Sequence, residues 1–273
     1  MKKVLASLGL SVIVASGLFA DTLMMATTTS TEDTGLLDYL APQFEKQTGT
    51  TLKWVSTGTG KALKMGENCD VDVLLVHAPD AEKKFVDAGF GVDRNEVMYN
   101  DFVIVGAKND PAGVSGKTTE EAFKIIKDKN ANFLSRGDNS GTHQKELSMW
   151  EKVSKVVPEK DTWYIQTGQG MIATINMASE KGGYTLTDRG TWIKYESQKA
   201  QSNNMKIIVE NDNILFNQYS VITVNKDRCP KTKTQLSKDF TNWIIKDETQ
   251  KLIGDFKLLE KPLFCVWCKK WFF

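Results

Sequence analysis

The sequence predicts an α/β fold with a largely parallel sheet, and three observations carry this prediction. Residues 71–77 and 102–106 are short apolar runs of the kind that form buried strands. Residues 34–47 place apolar side chains at helical spacing and are followed by Gly49, a common helix stop. Strand-like and helix-like segments then alternate along the chain, which is typical of βαβ units.

The first half of the chain contains six predicted elements. Leu36, Leu40 and Phe44 would lie on one face of the first helix. Residues 51–56 alternate as a strand does, and the turn at 58–60 opens a short helix. In order, these elements are a helix at 34–47, a strand at 51–56, a helix at 61–65, a strand at 71–77, a helix at 81–88 and a strand at 102–106.

The second half continues the alternation. Apolar residues at 147, 150, 153 and 157 mark one helix, and glycines on both sides delimit another at 170–180. In order, the elements are helices at 119–128, 142–157, 170–180, 190–197 and 236–252, with strands at 132–135, 184–187 and 220–224.

Two apolar strands, 102–106 and 220–224, bracket a central block of the size of an inserted lobe. We therefore predict two lobes, each a mostly parallel sheet flanked by helices, joined by two crossing strands. The expected ranges are 21–104 for the first part of lobe 1, 105–219 for lobe 2 and 220–264 for the return to lobe 1.

The charge balance excludes several classes of function. The chain has 273 residues, with 35 Lys+Arg against 34 Asp+Glu and a formal net charge of +1. A protein that binds nucleic acid over its surface carries a basic excess, and a disordered chain carries a large net charge. We therefore predict a globular protein without a nucleic-acid partner, whose charge chemistry is confined to particular loops.

Both ends of the sequence differ from the middle. Lys2 and Lys3 precede an apolar run at 4–20, the layout of a secretory signal peptide, so residues 1–20 predict export. At the other end, 265–273 is an aromatic, cysteine-bearing tail. The four cysteines include one close pair, Cys265 and Cys268, which is too little for a zinc site and wrongly placed for a thioredoxin-like motif. A structural disulfide or no bond at all is expected.

Three loops rich in Ser, Thr and Gly each lead into a predicted helix, at 27–31, 56–60 and 135–142, and we interpret all three as strand-to-helix turns. Such turns gather at the carboxyl ends of parallel strands, where ligands bind in open α/β sheets. Helix N-termini offer unpaired N–H groups to an anion, and hydroxyls add neutral donors. The third loop adds Arg136, whose guanidinium matches an oxyanion. The pattern predicts an oxyanion site.

Plainer interpretations stay open for the same residues. Ser and Thr before a helix often serve only as N-caps, and Arg136 could pair with Asp138 alone. The nucleotide-binding pattern GxxxxGK[ST] fails at Val55 and Ala62. His77 is expected to be a satisfied histidine at a strand end. His143 stands too close in sequence to Ser140 and Asp138 to resemble a usual hydrolytic triad. No Asp, Glu or His cluster has metal-ligand spacing, so no catalytic residue, metal site or cofactor is predicted.

Four motifs, taken together, resemble the tungstate-binding periplasmic proteins of bacterial ABC importers, from about residue 21 to about residue 264. They are TTTST at 27–31, STGTGKAL at 56–63, NDFVIVG at 100–106 and SRGDNSGTH at 135–143. The resemblance implies a type II periplasmic-binding-protein fold whose cleft closes on a tetrahedral oxyanion. The tail at 265–273 departs from that family.

The resemblance also implies a set of ligand contacts and partners. The ligand would be tungstate, or also molybdate. The protein would be a monomer that delivers it to a membrane permease with its ATPase. The implied ligand-binding residues are Thr28, Thr29, Ser30, Ser56, Thr57, Arg136, Ser140, Gly141 and Thr142.

Three other functions compete with this one. A phosphate receptor would use a carboxylate to accept the proton that phosphate keeps at neutral pH, and Asp138 lies in the right loop. A secreted ester hydrolase could use the same loops as an oxyanion hole, although no nucleophile–base pair is evident. The sensing domain of a regulator is disfavoured by the signal peptide.

Overall fold

The computed structural model describes residues 21–199 and 203–266, and within these ranges strands and helices alternate as predicted. The predicted signal peptide at 1–20 and the tail beyond residue 266 lie outside the described residues. The strands are β1 (Thr22–Thr28), β2 (Thr51–Thr57), β3 (Val73–Val76), β4 (Gly91–Ala107), β5 (Phe133–Ser135), β6 (Tyr164–Gln166), β7 (Tyr184–Asp188), β8 (Met205–Val209), β9 (Phe216–Val224), β10 (Lys257–Leu258) and β11 (Lys261–Pro262).

The helices lie between these strands. They are α1 (Thr29–Thr34), α2 (Leu36–Thr48), α3 (Thr59–Glu67), α4 (Pro79–Asp87), α5 (Thr119–Asp128), α6 (Gly141–Ser154), α7 (Met171–Glu180), α8 (Arg189–Gln198), α9 (Thr234–Ile245) and α10 (Asp247–Asp255). No helix among the residues described is both long and apolar enough to span a membrane.

The strands form two mostly parallel sheets, which confirms the predicted fold class. In the first sheet the order is β2-β1-β3-β9-β4, and β9 alone runs against the other four strands. In the second sheet the order is β8-β4-β7-β5-β6, and here β4 runs against the rest. Each sheet, with the helices packed on it, makes one lobe.

One long strand belongs to both sheets. Residues 91–101 of β4 pair with β9, whereas residues 102–107 pair with β7 and β8, so the change of sheet falls between Asp101 and Phe102. The sequence indicated only the second half of this strand. Its first half, GVDRNEVMYND, is mostly polar and twice shifts its register against β9, so it lacks the alternation that marks a strand.

An ion pair stabilises the point where β4 changes sheet. The carboxylate of Asp101 accepts two hydrogen bonds from Arg189, at 2.6 Å from Nε and 2.5 Å from Nη2. Arg189 is the first residue of α8 and also contacts Glu210 at 2.8 Å. Two parallel N–H···O bonds fix the orientation of both groups, so the crossing strand is held against the start of α8.

Three differences from the predicted elements have local causes. Strands β1, β6, β8, β10 and β11 were not among the predicted elements. β1 (TLMMATT) runs into the threonine segment that was interpreted as a loop, and the others are short and only partly apolar. Helix α1 was missed because its sequence, TSTEDT, looks like a cap rather than a helix. The predicted helix 236–252 is two helices, α9 and α10, because Lys246 is extended with ψ 152° and interrupts the helical backbone.

A disulfide joins Cys69 and Cys229 across 160 residues of sequence. Cys69 precedes β3 and Cys229 follows β9, and these two strands are antiparallel neighbours. The bond therefore lies at the end of the first sheet opposite to the carboxyl ends of β1, β2 and β3. It closes a very long loop, whose closure restricts the unfolded chain more than a short one would.

Replacing Cys69 by Ser and Cys229 by Ala should lower the free energy of unfolding by about 2–5 kcal/mol, because the unfolded chain regains the freedom that the bond removed. Chemical denaturation followed by circular dichroism measures this change. The affinity for any ligand bound at the carboxyl ends of β1, β2 and β3 should stay within about twofold of the parent protein, because the disulfide lies at the opposite end of the sheet. An unchanged denaturation midpoint would contradict the stabilising role.

Candidate functional site

The loops that follow β1, β2 and β3 lie side by side in lobe 1 because these three strands are parallel neighbours. The register pairs Thr27 with Ser56 and Thr28 with Thr57 between β1 and β2, and it pairs Thr27 with Leu75 of β3. The hydroxyl-rich segments therefore leave the same edge of the sheet. Both Ser56 and Thr57 are half-buried there.

Residues 27–31 have two roles: some hold the loop by hydrogen bonds, and others line a cavity. Thr27 donates its hydroxyl to the Leu75 carbonyl at 2.8 Å, and Thr28 is the N-cap of α1, accepting from Thr31 N at 3.3 Å. Thr29 and Ser30 instead line a cavity between the lobes. The two uses follow from the sharp turn at the end of β1, which commits one hydroxyl to the cap.

The corresponding loop of lobe 2 runs from the end of β5 to the start of α6. Ser140 is the N-cap of α6, and its hydroxyl accepts from His143 N at 3.3 Å. Gly141 and Thr142 are the first two residues of that helix, and both are buried. The structure thus gives Ser140 the capping role that sequence alone left open, and it aligns the first N–H groups of α6 at the lobe boundary.

The same loop of lobe 2, residues 135–142, carries the one arginine of the predicted site. Arg136 is buried with only 7% of its surface exposed, and its Nε and Nη2 both donate to Oδ2 of Asp138. The other carboxylate oxygen of Asp138 accepts from Ser140 N at 3.1 Å. Burial works against ionisation of Asp138, yet the bonds from Ser140 and the charge of Arg136 outweigh it and lower the pKa of this carboxyl.

The pairing leaves part of the guanidinium for another acceptor. Arginine presents five N–H donors in one plane, and Asp138 takes those of Nε and one of Nη2. Because Asp138 is already hydrogen-bonded through both oxygens, it orients Arg136 rather than offering a free carboxylate.

Arg136 shares a cavity of about 260 Å³ with residues from both lobes. The wall from lobe 1 contains the hydroxyls of Thr29 and Ser30, and the wall from lobe 2 contains the first turn of α7. The full lining is Thr29, Ser30, Asp33, Arg136, Gly170, Met171, Ile172, Ala173 and Thr191. The lining brings one guanidinium, three hydroxyls and the uncapped N-terminus of α7 to a common space, with Asp33 as its one carboxylate. The donors outnumber this acceptor and suit an anion.

The remaining predicted residues lie outside the lining of this cavity. Ser56 and Thr57 end β2, Ser140 and Thr142 lie at the start of α6, and Thr28 is committed to its cap. Gly141 lines a different cavity of about 380 Å³, together with His77 and Asn217.

Two features of the cavity were not predicted from the sequence. The N-terminus of α7 enters it without a side-chain cap, because the N-cap is Gly170. Thr191 enters it from the first turn of α8, where Asp188 is the cap. The signal for α7 was present as two glycines, Gly168 and Gly170, before an apolar helix, but it lacked the hydroxyls that marked the other loops.

The lobes touch each other through glycines at this boundary. A Cβ on Gly141 would lie 2.9 Å from His77 Cε1 and 3.0 Å from Thr59 Oγ1, closer than real side chains approach. A Cβ on Gly58 would meet Ser140 Cα at an ordinary 3.8 Å. The start of α6 thus packs directly on lobe 1, and only glycine fits at position 141 in this closed arrangement.

The two histidines have internal partners. His77 is buried, with Nδ1 at 2.9 Å from Asn217 and Nε2 within hydrogen-bond distance of Thr28, as expected for a satisfied histidine. The ring of His143 accepts from Asn139 N at 3.0 Å, while the Ser140 hydroxyl accepts the backbone N–H of His143. The imidazole of His143 is therefore turned toward the backbone rather than the serine hydroxyl, which a general base would have to reach.

The chain matches a family model described as the PBP superfamily domain over residues 18–248. It is 51% identical over 237 residues to the tungstate-binding protein TupA of Campylobacter jejuni subsp. jejuni, which covers 87% of this chain and 88% of that protein. The solved structure of the tungstate-binding protein TupA from Desulfovibrio alaskensis G20 matches with 62% identity and a TM-score of 0.82, covering 90% of this chain and 99% of its own. The tungstate ABC transporter structure from Geobacter sulfurreducens matches with 47% identity and a TM-score of 0.77, covering 86% and 98%.

Replacing Gly141 by Ala should shift the protein toward a more open arrangement of its lobes, because the added Cβ collides with His77 and Thr59. Small-angle X-ray scattering should report a larger radius of gyration than for the parent protein, while the melting temperature changes by only a few degrees.

The matched control is Gly58→Ala, which adds the same methyl group on the facing side of the same boundary at an ordinary contact distance. It should scatter like the parent protein. Equal scattering from the parent, Gly141→Ala and Gly58→Ala would show that the glycine contact does not govern closure.

Proposed function

Because the chain belongs to the PBP superfamily and, within it, to the family of the tungstate-binding proteins TupA, we propose that it captures tungstate between its two lobes. The observation that carries the proposal is the buried guanidinium of Arg136, which shares an inter-lobe cavity with the hydroxyls of Thr29 and Ser30. Molybdate, a tetrahedral dianion of the same kind, would be a second ligand.

The chemistry of tungstate explains why such a cavity suits it. Tungstate at neutral pH is a dianion without protons, so its site needs donors and no acceptor. Arg136 supplies one formal charge, and the rest must come from dipoles and hydroxyls that are fixed before binding. The first turns of α6 and α7 point N–H groups toward the boundary, and each charge-assisted hydrogen bond contributes about 1.5–3 kcal/mol.

The proposed ligand set keeps every residue that the sequence indicated. Thr29, Ser30 and Arg136 have the strongest support, since they share the cavity. The others would approach the anion through backbone N–H groups or on tighter closure of the lobes. They are Thr28, Ser56, Thr57, Ser140, Gly141 and Thr142.

A phosphate receptor is the nearest alternative, and the state of Asp138 disfavours it. Phosphate at neutral pH carries a proton, which is best met by a carboxylate acceptor. Both oxygens of Asp138 already accept hydrogen bonds, from Arg136 and from Ser140 N, and its pKa is lowered. Asp138 is also absent from the residues that line the cavity with Arg136, so its carboxylate does not face a protonated oxyanion bound there.

We further propose that the protein works outside the cytoplasm as the capture component of an importer. It would release tungstate to a membrane permease driven by an ATPase, act as a monomer, use no cofactor and catalyse no reaction. The name of the Geobacter sulfurreducens structure, a tungstate ABC transporter, supports the importer. The apolar run at 4–20 supports export.

Isothermal titration calorimetry with tungstate, molybdate, sulfate and phosphate tests the proposal directly. The parent protein should bind tungstate with a nanomolar dissociation constant, or about −12 kcal/mol, and phosphate far more weakly. Arg136→Ala should weaken tungstate binding by at least about a hundredfold, because the dianion loses its formal countercharge. Tight phosphate binding together with weak tungstate binding would overturn the proposed ligand.

A second variant separates two effects of removing the arginine. Arg136→Ala also uncovers the carboxylate of Asp138, which would repel an anion. The double variant Arg136→Ala/Asp138→Ala removes both charges, so its residual loss of affinity measures the countercharge alone. Asp138→Asn should stay within about tenfold of the parent, because an amide oxygen still accepts from Arg136. If the double variant bound tungstate like the parent, Arg136 would have no direct role.

A further inference from the structure

One buried side chain contacts three parts of the molecule that meet at the proposed site. His77 follows β3, and its Nε2 lies 3.0 Å from Thr28 Oγ1 and 3.1 Å from Ser30 Oγ in the first loop. Its Nδ1 lies 2.9 Å from Oδ1 of Asn217 on β9. Its Cε1 atom is the surface on which Gly141 of lobe 2 packs.

The amides on the crossing strands determine which ring nitrogen carries the proton. Asn217 Nδ2 donates to Asn100 Oδ1 at 2.7 Å, and Asn100 Nδ2 donates to the hydroxyl of Tyr219 at 3.2 Å. Asn217 therefore turns its oxygen toward His77, so Nδ1 must be the donor. Burial lowers the pKa of His77 to about 4, so the ring is neutral at physiological pH and Nε2 keeps its lone pair.

The lone pair on Nε2 directs the hydroxyl protons of the first loop. Thr28 has one proton, and its oxygen already accepts from Thr31 N at 3.3 Å and lies 2.7 Å from Thr31 Oγ1. If Thr28 donates to Nε2, its two lone pairs accept from Thr31 N and Thr31 Oγ1, which leaves none for Ser30 Oγ at 3.2 Å. Ser30 then keeps its own proton for an acceptor in the cavity that it lines.

We propose that His77 is a positioning residue for anion capture: it accepts the Thr28 proton, leaves the Ser30 hydroxyl to donate to the anion, and ties this loop to the crossing strands through Asn217. The inference rests on the proposed function, since it concerns how the tungstate site is prepared. His77 acts through Thr28 and Ser30 and does not itself bind the ligand.

Two amide substitutions test the inference because each keeps one half of the ring's hydrogen bonding. In His77→Gln the amide reaches the position of Nε2, so its oxygen still accepts from Thr28. In His77→Asn the amide reaches the position of Nδ1 and still meets Asn217, while Thr28 loses its acceptor. Both variants remove the ring from Gly141, so the cost of that lost packing is common to the two.

Calorimetry with tungstate should show His77→Asn weakened about tenfold more than His77→Gln, the effect of one misdirected hydrogen bond. Thermal unfolding without ligand reports whether each variant is folded. In a Thr28→Val background, which has no hydroxyl to direct, the difference between the Asn and Gln variants should disappear.

Two results would overturn the inference. Equal tungstate affinity of His77→Asn and His77→Gln would mean that the acceptor at Nε2 has no effect. Persistence of their difference in Thr28→Val would mean that His77 does not act through that hydroxyl. Either result is separate from a failure of the proposed function, which the parent protein would reveal by not binding tungstate at all.

Discussion

The architecture depends on a single strand that belongs to two sheets. β4 pairs with β9 up to Asp101 and with β7 and β8 from Phe102 onward, so the two lobes share one continuous backbone. The ion pair between Asp101 and Arg189 fixes the strand at that change. Apolar clusters pack on both faces of each sheet, and helix α8 contributes Ile193 to the cluster of the first sheet and Trp192 to a cluster of the second.

Because β4 belongs to both sheets, the carboxyl ends of the parallel strands in one sheet face those in the other. The loops after β1, β2 and β3 face the loop after β5, and the contact is close enough that glycine is needed at position 141. Helix N-termini from both lobes are therefore aimed at one region. In the proposed site a dianion would receive donors from both lobes, and its binding energy would favour the arrangement that brings them together.

Much of this could be predicted from the sequence because its signals are local. The alternation of elements, the hydroxyl-rich turns and Arg136 each depend on residues that are neighbours along the chain. The near-neutral composition agrees with a site that holds a dianion through one arginine and many neutral donors. The first half of β4 was missed because it is mostly polar. A strand that links two lobes does not pack one continuous apolar face on a core, so it lacks the alternation that predicts a strand.

The hydrogen bonds that hold the first loop could not be predicted from the sequence, because they join residues that are far apart along the chain. His77 and Asn217 are separated by 140 residues, and Asn217 and Asn100 by 117. Each is an ordinary polar residue in its own segment, and only the antiparallel pairing of β9 with β3 and β4 assembles them.

The hydrogen bonds that run from Thr28 through His77 and Asn217 to Asn100 connect the first loop to the crossing strands. A hydroxyl can serve as a fixed donor only if its other contacts are settled before the ligand arrives, since reorientation during binding would reduce the net gain. In this protein Thr28 is hydrogen-bonded to His77, which is connected through Asn217 and Asn100 to both crossing strands. The crossing strands and the hydroxyl of Thr28 therefore belong to one hydrogen-bonded network, through which the proposed anion recognition would be coupled to the arrangement of the lobes.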